Sequence, residues 1–500
     1  MLNNNSDGHV QKPMRNLLML STSFLFIFSA YGALEAAQSS INAELGVISL
    51  CAVYASYTVF SLLLPPLVIS QLGSRKSIAV SVIGYAAYIA AHFYPRGWTL
   101  VTTGILVGAS ASVLWVAQKV YVTNLAFNNC GKINKQTENT VGYFHSIFMA
   151  IFCARGIGSI IMSILLNREA KVVQNEDTPF SSNASSRPST TVKILNFNTT
   201  ENFHEICGDP ASRQWESSDP TAETKLDVNI DSTKLYIMLS VYIGFVIIGF
   251  VLLLCIDEMQ EFKLPSDHAE QIAIDNEANK KSNRSKILST GRLMTSNIQM
   301  IFLIPSSIQI GMYAAVPLTF YMRFWVTCSL GVDYVGYVAF TYSLMSSIMS
   351  LIAGRLLKYF HRKTLFFISC ILEISCSLVV LLWTPVKEDG NIAMFFVFGG
   401  WFALGYTLQK CIITTAFSLF FIEDQDAGQS AFAFCEALGS ASVFGLAPFI
   451  TFKIQFFITT TILLLGFLGY FMAERIHSRI SKINGNKVEL LFSPNINVQN

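Results

Sequence analysis

Long uncharged stretches recur along the chain and are separated by connections that hold most of the charged residues. A helix needs about 20 apolar residues to cross the hydrocarbon core of a bilayer. Twelve stretches meet that length or approach it: 16–38, 47–71, 77–95, 98–125, 141–166, 234–256, 298–321, 330–353, 364–384, 391–417, 428–450 and 453–473. The pattern predicts an all-α polytopic membrane protein with twelve transmembrane helices.

Composition supports a membrane protein and argues against a set of soluble domains. Of the 500 residues, 52% are hydrophobic and only 13% are charged, and the mean hydropathy is +0.47. So few ions cannot cover the surfaces of globular domains. The bilayer is therefore the expected environment, and no nucleic-acid partner is expected.

The basic residues indicate an orientation. Alternate short connections hold most of the Lys and Arg residues, whereas the opposite set holds only Arg96, Arg323, Lys387 and Lys453. Because positive charge is retained on the cytoplasmic side, both termini are expected to be cytoplasmic. The predicted organisation is a cytoplasmic N-terminus (1–15), a six-helix half (16–256) with an extracellular loop (167–233), a cytoplasmic linker (257–297), a second six-helix half (298–473) and a cytoplasmic tail (474–500).

The predicted extracellular loop carries two N-glycosylation sequons, at Asn183 and Asn198. A third sequon, at Asn283, lies on the predicted inside and should remain unmodified. Cys207 and Cys328 are placed where an oxidising compartment could link them, whereas most other cysteines fall in apolar spans. Glycosylation and one disulfide are the modifications expected here.

The two halves share an internal repeat. The phrase Gln118-Lys119 in the fourth span returns as Gln409-Lys410 in the tenth span, and Cys153-Ala154-Arg155-Gly156 in the fifth is echoed by Cys435-Glu436-Ala437 in the eleventh. Two six-span halves related by an axis along the membrane normal are typical of major facilitator proteins. The repeat therefore predicts the major facilitator fold.

Ionisable residues at membrane depth are the candidate functional residues, because burying a charge there is costly. Lys119 and Lys410 cannot neutralise each other, so with Gln118 and Gln409 they predict an electropositive central cavity unless Glu35 pairs with one of them. The alternative is that both lysines extend toward an interface. Arg155 and Glu436 occupy equivalent positions and are expected to pair across the boundary between the halves.

Motifs of enzymes and metal sites are absent from the sequence. It contains no G-x-G-x-x-G, G-x-S-x-G or H-E-x-x-H, and its seven histidines show no metal-ligand spacing. We expect a protein that is not an enzyme and that uses neither cofactor nor metal.

Several phrases resemble the uncoordinated-93 (unc-93) family, and most closely its homolog A branch. They include Tyr31-Gly32-Ala33-Leu34, Leu64-Pro65-Pro66-Leu67, Leu114-Trp115-Val116-Ala117-Gln118, Val326-Thr327-Cys328-Ser329-Leu330-Gly331 and Glu436-Ala437-Leu438-Gly439. The resemblance implies a major facilitator fold without established enzymatic activity. One branch of this family is a regulatory partner of a two-pore-domain potassium channel, and another escorts Toll-like receptors out of the endoplasmic reticulum.

Three hypotheses for function follow. The first, which rests on the resemblance, is a plasma-membrane glycoprotein that regulates potassium conductance or ion homeostasis by associating with a channel. The second, which rests on the lysines, is a solute carrier with an electropositive cavity. The third is a trafficking chaperone for a membrane receptor, and for it an endosomal or endoplasmic reticulum membrane is the alternative location.

Overall fold

The structure is a computed structural model in which every described regular element is helical. It describes residues 6–41, 43–130, 135–164, 207–209, 232–257, 288–331, 333–385, 391–422, 424–447 and 449–492. The sequons at Asn183, Asn198 and Asn283, and most of the predicted linker, lie outside these residues.

The first half contains six helices: α1 (Ser6–Ile41), α2 (Ala43–Ser61), α3 (Leu64–Ala91), α4 (Gly97–Cys130), α5 (Lys135–Cys153) and α6 (Ser232–Leu254). After α5, a 3₁₀ turn (Ala154–Gly156) leads into the last part of the span Asn139–Ile164. Helix α3 is divided at Gly73, whose φ of 77° lies in the region that favours glycine. The chain can change direction there because glycine lacks a Cβ.

The second half contains α7 (Ser289–Ser296), α8 (Ile298–Val316), α9 (Asp333–Tyr359), α10 (Arg362–Leu382), α11 (Ile392–Phe420), α12 (Gln425–Leu446) and α13 (Phe452–Phe492). Asn297 caps α8, because its side-chain oxygen accepts hydrogen bonds from the backbone N–H groups of Gln299 and Met300. Helix α8 continues as a π-helical segment, Pro317–Thr327, that starts at a proline without a backbone N–H.

Among the described residues, nine helices are long and apolar enough to cross a membrane, or ten if the bent pair α2 and α3 is one span. Helix α12 has 22 residues but is not among them. The structure therefore confirms the all-α membrane architecture, and the number twelve stays a prediction.

The two halves repeat the same helix packing. In the first half α1 packs against α5 and α6, and in the second half α8 packs against α12 and α13. A Cβ added at Gly158 would overlap the carbonyl oxygen of Ser29 on α1, and one at Gly439 would overlap that of Ile308 on α8. Glycine at these two equivalent positions lets the backbones of neighbouring helices touch.

The halves meet along two seams, α5 with α9 and α2 with α12. The α5–α9 seam is built from small residues: a Cβ at Gly156 would lie 2.6 Å from Ser343 Cβ, and Ser350 Oγ donates to the Ser146 carbonyl at 2.9 Å. Small side chains allow the close backbone approach that associates helices in membranes. Helices α4 and α5 also reach α11, and α4 reaches α12, at the centre between the seams.

A disulfide links a loop of the first half to the second half. Cys207 and Cys328 are bonded, with their Cα atoms 5.8 Å apart. The residues after Cys207 add contacts: Gly208 N donates to the Phe324 carbonyl at 2.8 Å, and Asp209 Oδ1 accepts from the backbone N–H of Lys453 at 3.0 Å. The tripeptide 207–209 is thus anchored where the π-helical segment ends and α13 begins.

Candidate functional site

Buried charged residues converge at the centre of the boundary between the halves. We call Lys119, Lys410, Glu436 and Phe432 the interface charge cluster. Only 4% of Lys119 and 7% of Lys410 is exposed, so both ammonium groups are buried. Charges removed from water in this way require compensation from other groups in the protein.

Three helices position the cluster. Helix α4 of the first half supplies Lys119, and α11 of the second half supplies Lys410. Helix α12 supplies both Phe432 and Glu436, which are one turn apart and therefore point the same way. The cluster joins one helix of the first half to two helices of the second.

Glu436 contacts both lysines, but not equally. Lys410 Nζ donates a hydrogen bond to Glu436 Oε1, whereas Lys119 Nζ lies 3.7 Å from Oε2, which is an ion pair too long to be a hydrogen bond. The ring centroid of Phe432 lies 4.0 Å from the Lys119 ammonium and 4.8 Å from that of Lys410. One carboxylate and one aromatic face therefore stabilise two cations.

The cluster has more positive charge than its single carboxylate can balance. Two ammonium groups and one carboxylate give a formal charge of +1. Within the described structure, the buried donor atoms Gln118 Nε2, Lys119 Nζ and Gln409 Nε2 have no hydrogen-bond partner, and neither has the acceptor Gln409 Oε1. Unpaired buried donors are costly, and an acceptor placed among them would be bound favourably. An anion fits this arrangement.

A neutral polar network lies one helical turn beyond the cluster. The hydroxyls of Thr123 and Ser418 are hydrogen-bonded at 2.9 Å, and His145 Nε2 lies 3.1 Å from each of them. Gln429 Nε2 donates to Ser418 Oγ at 3.2 Å. The network contains residues of α4, α5, α11 and α12, so it joins the two halves a second time.

The expected pair of Arg155 and Glu436 is wrong. Arg155 lies in the 3₁₀ turn after α5, with its guanidinium carbon 4.1 Å from the ring centroid of Phe152 and its Nε 3.8 Å from a Cβ added at Gly32 of α1. The irregular turn directs the side chain back onto its own half, while Glu436 contacts the lysines. Equivalent positions in the repeat do not become neighbours here.

Glu35 does not pair with either lysine. Its carboxylate accepts a hydrogen bond from the Tyr54 hydroxyl at 2.6 Å, and Arg155 is near enough to act on it electrostatically. The Tyr54 ring in turn stacks on Phe444 of α12, at 4.9 Å between centroids. Glu35 therefore contributes to the α2–α12 seam and lies outside the interface charge cluster.

The site expected from the sequence did not include Phe432, Thr123, Ser418 and Gln429. A signal for three of them was present in the helix period, since Gln429 and Phe432 precede Glu436 by two turns and one turn, and Thr123 follows Lys119 by one turn. The contact between α5 and α11 that brings His145 to Ser418 has no such local signal.

No group of three or more His, Cys, Asp or Glu residues in the described ranges could hold a metal ion.

Comparisons with known proteins support one family. A family model described as "Ion channel regulatory protein UNC-93" matches residues 37–471. The chain is 27% identical over 478 residues to protein unc-93 homolog A of Homo sapiens, covering 94% of this chain and 95% of that protein. It is 25% identical over 470 residues to the putative potassium channel regulatory protein unc-93 of Caenorhabditis elegans, covering 93% of this chain and 61% of that protein.

Solved structures of similar fold are major facilitator transporters. The proton:xylose symporter XylE matches with a TM-score of 0.57 at 11% identity, covering 92% of this chain and 95% of that one. The E. coli fucose:proton symporter FucP matches with a TM-score of 0.53 at 11% identity, covering 92% and 99%. At such low identity the likeness concerns the fold alone. It confirms the predicted major facilitator architecture.

Proposed function

This chain belongs to the UNC-93 family, and on that basis we propose that it is a non-enzymatic, multi-pass membrane protein that regulates potassium conductance by associating with a channel. The observation that carries the proposal is the family match, which extends over residues 37–471 and so includes both halves. The relative from C. elegans, whose name is putative potassium channel regulatory protein, aligns with 93% of this chain.

The interface charge cluster gives this function a physical basis. A regulatory subunit must present a defined helical surface to the channel, and that surface depends on how the two halves are held. Lys119 belongs to the first half and Glu436 to the second, so their ion pair at 3.7 Å is a contact between the halves at the buried centre. Changes in the cluster would then alter the outer helices without touching the channel directly.

Co-expression with a two-pore-domain potassium channel, the partner class that the resemblance implies, tests the proposal. The measurement is the whole-cell current divided by the number of channels at the surface, together with co-purification of the two proteins. We expect this chain to change the current per channel and Glu436→Gln to remove the effect. The Gly445→Ala variant is the matched control, because a Cβ there meets nothing within 4 Å.

If the wild-type chain neither changes the current per channel nor co-purifies with any tested two-pore-domain channel, the proposal fails.

A second candidate function is an anion carrier, and the net positive charge of the interface charge cluster favours it. Gln118, Lys119 and Gln409 each hold a buried donor atom without a hydrogen-bond partner in the described structure. The test is uptake of labelled organic anions into liposomes that contain the purified protein. Uptake that Lys119→Met and Lys410→Met both abolish would support a carrier, and absence of uptake would favour the regulatory subunit.

We further propose a plasma-membrane location with both termini cytoplasmic. The support is the distribution of Lys and Arg between alternate connections. Removal of N-linked glycans should change the electrophoretic mobility of the wild type but not that of the Asn183→Gln/Asn198→Gln variant. Glycan attached at Asn283 would contradict this orientation.

A further inference from the structure

A second buried polar site lies within the second half, away from the interface charge cluster. It is a cavity between α8, α10 and α13, and its polar lining residues are Gln309, Tyr313, Glu373, Ser377, Thr459 and Thr460. Glu373 is 1% exposed and Gln309 is fully buried. A carboxylate in the middle of a membrane helix is a functional candidate by default.

The charge of Glu373 has no cationic side chain to balance it. Gln309 Nε2 donates a hydrogen bond to Glu373 Oε2 at 2.6 Å, but the ion pairs of the described residues do not include Glu373. Its other oxygen, Oε1, is buried without a hydrogen-bond partner in the described structure, and so is Gln309 Oε1. Each of these two neighbouring side chains therefore has one buried acceptor oxygen that receives no hydrogen bond in the described structure.

The excess of acceptors fits a cation better than a protonated acid. A proton on Glu373 could donate to one oxygen only, such as Gln309 Oε1, whereas a cation can contact both unpartnered oxygens and the hydroxyl oxygens of the lining at once. Hard cations prefer such oxygen ligands. A single carboxylate among neutral oxygens balances one positive charge, whereas divalent ions in proteins are usually held by more than one carboxylate.

The size and position of the cavity also suit a single ion. The cavity is small, with room for about one water molecule or one desolvated ion. Its lining follows α13 from Phe452, the first residue of that helix, to Leu463. Beside Phe452, Lys453 N donates to the Asp209 carboxylate, so an acidic residue lies where the cavity meets the end of the helix.

The packing around Glu373 leaves space for its side chain. Gly405 of α11 faces it, and a Cβ added there would lie 2.7 Å from Glu373 Cγ. A larger residue at this position would displace the carboxylate. Glycine therefore lets α11 pack closely against the Glu373 side chain.

We propose that the cavity between α8, α10 and α13 is a binding site for one alkali-metal cation, with Glu373 as the charged ligand and Gln309, Ser377, Thr459 and Thr460 as neutral oxygen ligands. The site is separate from the interface charge cluster, and it does not depend on a channel partner. It would make the stability of the second half sensitive to the ionic composition of the medium.

The test is thermal unfolding of the purified full-length protein in detergent while Na⁺ or K⁺ replaces choline at constant ionic strength. A ligand that binds only the folded state raises Tm in a saturable manner, and we expect a rise of at least about 2 °C with one of the two ions. Comparison of the Na⁺ and K⁺ titrations identifies the preferred ion. Glu373→Gln should abolish the response.

Glu35→Gln is the matched control, because Glu35 is a partly buried carboxylate of the first half that already has Tyr54 as a donor. It should keep the full response to the cation. If Glu373→Gln does not fold, Thr459→Val decides instead, since it removes one oxygen ligand at nearly constant volume and should shift the titration to higher cation concentration.

Three results would overturn the proposal. The first is that neither Na⁺ nor K⁺ raises Tm relative to choline. The second is that Glu373→Gln, or Thr459→Val in its place, responds as the wild type does. The third is a Tm that depends on pH but not on either cation, which would identify Glu373 as a proton site.

Discussion

The two copies of the Gln-Lys phrase lie at equivalent places in the two halves, yet their ammonium groups have different partners. Lys410 forms a hydrogen bond with Glu436 of its own half, whereas Lys119 has no such bond and lies 3.7 Å from the same carboxylate. Within the second half, Glu436 alone would balance the charge of Lys410. The first half depends on a carboxylate that belongs to the second.

The same comparison holds for the surrounding backbone. Gly158 and Gly439 make matching contacts with Ser29 and Ile308, but the residue three positions earlier is Arg155 in one half and Glu436 in the other. The helix packing is thus repeated while the charges are not. The repeat accounts for the shared helix packing, and the interface charge cluster arises from charged residues that differ between the halves.

The largest expected effect is that of Glu436→Gln. The substitution leaves two buried ammonium groups without a carboxylate, and breaking a buried pair from one side costs about 3–5 kcal/mol of unfolding free energy. Thermal unfolding and surface expression measure the loss. Glu35→Gln should cost much less, because Glu35 accepts a hydrogen bond from Tyr54 and does not balance two buried ammonium groups. Equal losses in the two variants would remove the distinction between these carboxylates.

Loss of the disulfide is expected to cause the second-largest decrease in unfolding free energy. The Cys207→Ser/Cys328→Ser variant frees the loop of the first half from the second half, and removal of such a link costs about 2–4 kcal/mol. Cys51→Ser is the control, since Cys51 is free and exposed. Maleimide labelling before and after reduction counts the bonded thiols, and labelling of Cys207 and Cys328 without reductant would contradict the link.

Alanine at the two equivalent glycines tests whether the repeated packing matters equally in both halves. Gly158→Ala and Gly439→Ala each place a Cβ against a backbone carbonyl, and overpacking of this kind costs about 1–3 kcal/mol. Gly244→Ala, which meets nothing within 4 Å, should leave Tm almost unchanged. A marked difference between the two glycines would show that the halves are not structurally equivalent here.

The smallest expected effect is that of Lys119→Met, and it is best measured beside Lys410→Met. Lys119→Met should be nearly neutral or slightly stabilising, because it leaves one ammonium group with one carboxylate. Lys410→Met removes a hydrogen bond to a charged group and should lower the unfolding free energy by about 1.5–3 kcal/mol. Thermal unfolding distinguishes the two, and a larger loss for Lys119→Met would reverse the assignment of partners.

The sequence predicted the architecture well because hydrophobic length and the internal repeat are local signals. It also singled out Lys119, Lys410 and Glu436, since a charge in an apolar span is conspicuous. It assigned Glu436 to Arg155 because the argument used equivalence in the repeat, and equivalence does not determine the direction of a side chain. The 3₁₀ turn that turns Arg155 toward Phe152 has no clear signature in sequence.

Glu373 is a second example of what the sequence alone does not predict. Glu373 lies within an apolar span, where a charged residue is conspicuous, but Gln309 is 64 residues earlier in the chain, and their contact follows from how α8 packs in the second half. Long-range packing is what joins such residues, and neither periodicity nor composition records it.

The most direct test of the account is a double-mutant cycle between Lys119 and Glu436, which lie on opposite sides of the boundary between the halves. The unfolding free energies of wild type, Lys119→Met, Glu436→Gln and the double variant give the coupling between the two residues. The account predicts a coupling of about 0.5–3 kcal/mol, because removing Lys119 should relieve part of the damage caused by Glu436→Gln. A coupling of zero would show that Lys119 does not depend on Glu436 and would contradict the shared carboxylate.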